Sequence, residues 1–314
     1  MASITNYVKE HYFDEVSIAG TDYFVQNALS LGLLRNGVSG SIDVEFSEIK
    51  YVYAGNRDDD LIDIDVILNI YADVVWFELY KISSSQKKNR WLRVSCTARV
   101  EGGLHGFQIH KVTPYKKGEL SLFERPFTDE LVPFLWKNEL DETAEAILAL
   151  YYPEALQSPM QINPYALAQT LGLRVEFVEI NPDTSIFGRI YFEDDTERGI
   201  SEGTIVVDAY LERIRPSGTV NNTIIHECLH WILHRYSVEL EKGSADRVTQ
   251  ISTTEAAVET DWMEWQVHSL APKVMMPKAM TQQFLKSKFA ELKEKRQVNS
   301  MIDIIEDLIK ATAN

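Results

Sequence analysis

Cysteine is scarce in this chain: two in 314 residues, Cys96 and Cys228. That number supports no disulfide framework, excludes the small stapled secreted folds, and suits a reducing cytoplasm. Long apolar runs are missing as well. None approaches the ~20 residues that a membrane-crossing helix needs. The start, Met1-Ala2-Ser3-Ile4-Thr5-Asn6-Tyr7, lacks the basic and apolar pattern of an export signal. Positive charge is in deficit: 31 Lys and Arg face 47 Asp and Glu, a net charge of −16. This argues against binding nucleic acid through a broad basic surface. No helix-turn-helix pattern, internal repeat or low-complexity run stands out. The expectation is a cytoplasmic protein with no direct nucleic-acid partner and no membrane partner. Its apolar fraction of 45% is ordinary for a globular chain, and its length suggests two domains.

Against these absences stands one dense motif, His226-Glu227-Cys228-Leu229-His230. Two histidines four apart on a helix lie one turn apart on the same face. Their imidazoles can reach one metal ion, most often zinc. Glu227 projects beside such an ion, where it can take a proton from water as the catalytic general base. The surroundings favour a helix. Gly203-Thr204-Ile205-Val206-Val207-Asp208 reads as a short strand. Pro216 to Thr219 supply turn and N-cap residues. From Val220 the apolar spacing Val220, Ile224, Cys228 is helical, with His226, His230 and His234 on a separate stripe. Cys228 lies about 200° round from His226 and is expected in the core. His234 is expected to pack under the site or hydrogen-bond nearby.

A catalytic zinc site keeps three protein ligands and one open position. The metzincin spacing places Gly six and His ten positions after the first His. Ile232 and Tyr236 stand there, so that pattern fails. The other source is a glutamate on a second helix. Residues 254–271 read as helical until Pro272 ends the run, with Glu255, Glu259, Asp261 and Glu264 as candidates.

Thr223-Ile224-Ile225-His226-Glu227-Cys228-Leu229-His230, with His234 one turn on, resembles the ImmA/IrrE metallo-endopeptidases. So does the stretch Glu264-Trp265-Gln266-Val267-His268-Ser269-Leu270-Ala271-Pro272-Lys273-Val274-Met275-Met276-Pro277. The upstream segment Asn163 to Leu173 is similar to a helix of that family. The likeness covers roughly residues 150–280. It implies a zincin-like domain holding Zn2+ through His226, His230 and, as third ligand, Glu264. It implies peptide-bond hydrolysis in a protein substrate, a regulatory repressor being the type many members cleave. Val267 and His268 replace the Ala and Asn usual there. His268, one turn after Glu264, is positioned to hydrogen-bond a ligand or to join the metal. A non-catalytic zinc-binding regulatory or interaction protein is the competing reading. The intact Glu227 speaks for the enzyme, since a purely structural site needs no general base.

The remainder organises as α+β. Residues 1–125 form an accessory module suited to target recognition, and residues 126–314 form the metallopeptidase domain. In the module, helices are expected over 3–15 and 21–35. Strands follow around Ile42–Phe46, over 61–68 with 74–79 as continuation or partner, over 91–100 and over 107–112. Glu101 to Gly106 serve as a hairpin turn. The result is an antiparallel meander packed by helices. The Arg57-Asp58-Asp59-Asp60 cluster reads as an exposed turn. A helix is expected over 128–150, and strands over 173–178 and 186–192 join residues 203–208 in one small sheet. A polar loop is expected over 240–254, and helices over 278–294 and 298–312.

Overall fold

The structure, a computed structural model, describes residues 2–35, 39–58, 61–78, 81–116, 126–179, 187–210, 217–243 and 259–294. The chain is α+β and divides into two compact units, Met1–Phe134 with Tyr236–Gln250, and Leu135–Arg235 with Ile251–Asn314.

The first unit begins with helices α1 (Ile4–His11) and α2 (Phe13–Gln26). Ser3 caps α1 by accepting the Asn6 N–H. The expected 3–15 helix breaks at Tyr12, whose backbone leaves the helical region. The expected 21–35 helix lies partly inside α2. Residues 27–34 form turns instead, closed by the Leu33 N–H donating to the Ala28 carbonyl at 2.8 Å. Val16, Gly20 and Phe24 form the buried stripe of α2 at the i, i+4, i+8 spacing of one helix face. A Cβ at position 20 would come within 2.7 Å of Leu68 Cδ1, so glycine lets α2 sit close on β2.

Four long strands follow: β1 (Ser39–Asp58), β2 (Leu61–Glu78), β3 (Lys81–Val100) and β4 (Leu104–Pro114). They pair antiparallel in sequence order, the expected meander. β2 joins residues 61–68 and 74–78 into one strand; residue 79 lies outside the described residues. Ile62, Ile64, Val66, Leu68, Ile70, Ala72, Val74 and Trp76 are all buried, an unbroken period of two. The turn after β3 closes with the Glu101 N–H donating to the Gly103 carbonyl. Of the acidic cluster, Asp59 and Asp60 lie outside the described residues.

The expected 128–150 helix is half right. Residues 126–134 are a bridged turn, with Phe127 paired to Pro133 and Thr128 Oγ1 accepting the Glu130 and Val132 N–H groups. Pro133 has no N–H to give a helix and disfavours helical backbone before it. Helix α3 starts only at Leu140 and runs to Tyr151.

The second unit contains α3, a 3₁₀ turn at Pro153–Leu156, and α4 (Pro164–Thr170) capped by Asn163. Its sheet is small: β5 (Arg174–Val178), β6 (Gly188–Ile190) and β7 (Thr204–Asp208), in the order β5–β7–β6. β5 lies parallel and β6 antiparallel to the central β7. Thr204 to Val207 are buried in succession, as a strand covered on both faces requires.

Helix α5 (Ser217–Lys242) carries the motif. Val220, Ile224 and Cys228 are buried, with Ile225 and Leu229 beside them. Cys228 thus occupies the core, and burial raises its thiol pKa. The expected loop over 240–254 begins later than its first residues, because α5 continues to Lys242; residues 244–258 lie outside the description. Helix α6 (Glu259–Met275) buries Met263, Val267, Leu270, Ala271 and Val274. Pro272 was expected to end this helix but lies inside it. So near the C-terminus its missing N–H forfeits one intrahelical bond, while its carbonyl still accepts the Met276 N–H at 3.0 Å. Helix α7 (Lys278–Glu294) follows; the expected helix over 298–312 falls outside the described residues. Among the described residues no helix is long and apolar enough to cross a membrane.

Candidate metal centre

The site is built on the polar stripe of α5 and one face of α6, all within the second unit. The apolar stripe Val220, Ile224 and Cys228 turns one side of α5 into the core. The helical period then brings His226 and His230 out together. Their Nε2 atoms are 3.1 Å apart. Glu264, from α6, bridges them: Oε2 lies 3.3 Å from His226 Nε2 and Oε1 lies 3.2 Å from His230 Nε2. The buried residues Met263, Val267 and Ala271 fix the rotation of α6 that aims Glu264 this way.

Four ligands held about 2.0–2.1 Å from a zinc ion at the tetrahedral angle stand roughly 3.3–3.4 Å from one another. The three measured separations, 3.1, 3.2 and 3.3 Å, are close to that edge. Two imidazole nitrogens and a carboxylate also match zinc's preference for N and O donors. The residues present therefore fit a dication. The same spacings also suit a set of ordinary hydrogen bonds.

His268 is the alternative to His230 as the second nitrogen. Its Nε2 lies 3.6 Å from Glu264 Oε2. His226, Glu264 and His268 offer donor atoms all within 4.8 Å of each other. The two triads overlap in His226 and Glu264. The one containing His230 is tighter and more buried, since the His268 side chain is 69% exposed against 12% for His230. Of the remaining glutamate and aspartate candidates, Glu255 lies outside the described residues, as do the side chains of Glu259 and Asp261.

Electrostatics follows from burial and contact. Burial alone would lower the His226 pKa, but the hydrogen bond to Glu264 and the charges of Glu227 and Glu264 outweigh it and raise it. Burial would raise Glu264, but its bonds to His226 and His230 hold it well below the usual carboxylate range. The carboxylate thus helps to draw positive charge onto His226. Glu227 is pushed up, chiefly by burial, against the opposing pull of His230 and His226. Its Oε2 accepts the Ile190 N–H of β6 at 2.9 Å.

That contact explains Gly188. A Cβ at position 188 would stand 2.5 Å from Thr223 Cγ2 and 3.7 Å from Glu227 Cγ. Glycine lets β6 approach the helix face that carries Thr223 and Glu227. Sequence reasoning singled out neither Gly188 nor Ile190; a backbone donor carries no residue-type signal.

His234 is fully buried behind His230. Its Nδ1 lies 3.0 Å from His230 Nδ1, and its Nε2 lies 2.9 Å from Gln266 Oε1. Burial and the neighbouring His230 push its pKa down to about 3. Gln266, also fully buried, was likewise missed from sequence. No protein-family model and no curated protein matches this chain.

Proposed function

We infer that the protein is a zinc-dependent metallo-endopeptidase of the ImmA/IrrE kind, with a zincin-like second unit, hydrolysing peptide bonds in a protein substrate. The observation that carries this reading is the convergence of His226, His230 and Glu264 beside a buried Glu227. Residue pattern supports the family; a repressor as substrate follows from the family resemblance alone.

In this reading His226, His230 and Glu264 hold the ion. Zinc bound there supplies Lewis acidity, bringing water's pKa toward ~7 and polarising a carbonyl. Glu227 accepts the proton of the attacking water and returns it to the leaving amine. Its burial suits that work, because a carboxyl with a raised pKa shares protons more evenly near neutral pH. The Ile190 N–H keeps the carboxylate oriented. Among the described residues β6 is an edge strand, and such an edge can hold a substrate extended by backbone pairing.

One observation favours the non-catalytic alternative. By accepting the Ile190 N–H, Glu227 also ties α5 to β6, a structural duty that a regulatory protein would retain. Glu227→Gln separates the readings. Gln keeps an oxygen for Ile190 but cannot take up the proton, so zinc content and fold should persist while turnover falls ~10²–10⁴-fold. The assay is cleavage of protein partners captured with the Glu227→Gln form and then presented to wild type. If wild type leaves its captured partners intact and Glu227→Gln preserves the biological effect, the peptidase reading is wrong.

A further inference from the structure

Metal-binding histidines usually have their outer ring nitrogen fixed by a partner that selects the tautomer. Here the outer nitrogen of His230 meets not a carboxylate or a carbonyl but a second imidazole. The chain His230 Nδ1···His234 Nδ1, 3.0 Å, and His234 Nε2···Gln266 Oε1, 2.9 Å, has only one consistent set of proton positions once its last member is fixed. An amide oxygen only accepts, so His234 Nε2 carries the hydrogen. The His234 ring is fully buried between an imidazole and an amide; with its one hydrogen on Nε2, its Nδ1 is bare. That bare nitrogen must accept, so His230 Nδ1 donates. The proton of a neutral His230 is then spent on His234, and its Nε2 lone pair faces His226 and Glu264.

We propose that Gln266 is a positioning residue that sets the tautomer of His230 through His234, turning the His230 Nε2 lone pair toward the site. The use of that lone pair rests on the zinc reading above. The direction of the relay depends on the amide. With the Gln266 NH2 group turned to His234, every proton in the chain reverses and a hydrogen points from His230 into the site. Gln266 follows Glu264 by two residues, so the two occupy different faces of α6. One meets the histidine pair and the other reaches the histidine one turn further along α5.

Two measurements test this. Long-range 1H–15N NMR of metal-free protein should find His234 as the Nε2–H tautomer. Finding Nδ1–H overturns the proposal. Chelator competition should show the zinc Kd of Gln266→Met weakened about 10–100-fold, and the variant's His234 no longer confined to one tautomer. A Kd within about twofold of wild type also overturns it. If Gln266→Met does not fold, the tautomer of wild-type His234 decides alone. His234 as Nε2–H in a protein without zinc affinity keeps the relay and removes the zinc reading; zinc affinity with His234 as Nδ1–H does the reverse.

Discussion

In the first unit the buried carboxylate of Glu239 has a full cation against it. Lys242 Nζ lies 2.6 Å from one oxygen, and the Gly102 N–H donates to the other at 2.7 Å. In the second unit Glu264 meets only imidazoles among the described residues, at 3.2, 3.3 and 3.6 Å. The first arrangement is closed, with charge balanced by the chain itself. The second is open, because imidazoles carry a full positive charge only when protonated. A structural ion pair and the proposed cation site thus differ in what balances the charge, not merely in how deeply the carboxylate is buried.

The comparison breaks most sharply at Glu264. With about one zinc per chain in wild type, Glu264→Ala should lose nearly all of it, while Glu239→Ala should keep it. Metal analysis of the purified, dialysed proteins reads both. Retention of zinc by Glu264→Ala would hand the third position to another residue.

How far the sequence foretold these two arrangements differs. The α5 stripe was legible because a four-residue spacing has one meaning on a helix. Glu264 was one of four candidates by spacing, and the resemblance pointed to it. The meander was legible from alternation, yet the sequence left open whether 74–79 continues the 61–68 strand or pairs with it, since Asn69 and Tyr71 interrupt the apolar run. In the sheet Asn69 is satisfied, with its amide N–H donating to the Tyr71 hydroxyl at 2.6 Å and its oxygen accepting from Asn89 at 3.1 Å. Over 128–150 the apolar periodicity extends beyond the helix, which starts only at Leu140 because Pro133 disfavours helical backbone before it. The Gln266–His234 chain and the Ile190 N–H depend on tertiary placement, which local patterns do not carry.

The second largest effect lies in the first unit. Leu68 is fully buried on the central strand, and Leu68→Ala should cost about 2–5 kcal/mol through lost burial and a residual cavity. Denaturant unfolding gives the number. A loss under ~1 kcal/mol would mean that this core is not close-packed.

Glu239→Ala should be milder, roughly 1–3 kcal/mol, because the Gly102 N–H loses its acceptor. The same unfolding experiment measures it. A stability equal to wild type would show water or another group satisfying Gly102, and would weaken the description of this pair as a closed structural unit.

The smallest effect expected is at His268, and it sharpens the choice between the two overlapping triads. His268 stands one turn from Glu264 at 3.6 Å with a side chain 69% exposed. Contacts of that exposure are worth about 0.2–1 kcal/mol, at most about fivefold in a binding constant. If His268 only steadies the Glu264 carboxylate, His268→Asn should keep full zinc stoichiometry and shift the Kd by no more than that. If it is instead the second nitrogen of the His226–Glu264–His268 set, the substitution should cost far more, as the loss of His226 would. A Co2+-substituted protein adds an independent reading. Its visible spectrum responds to the number of nitrogen donors, so an unchanged spectrum in His268→Asn supports ligation by His230, and an altered one with lost affinity assigns the place to His268. Either result tells which of two histidines, one buried and one exposed, completes the site.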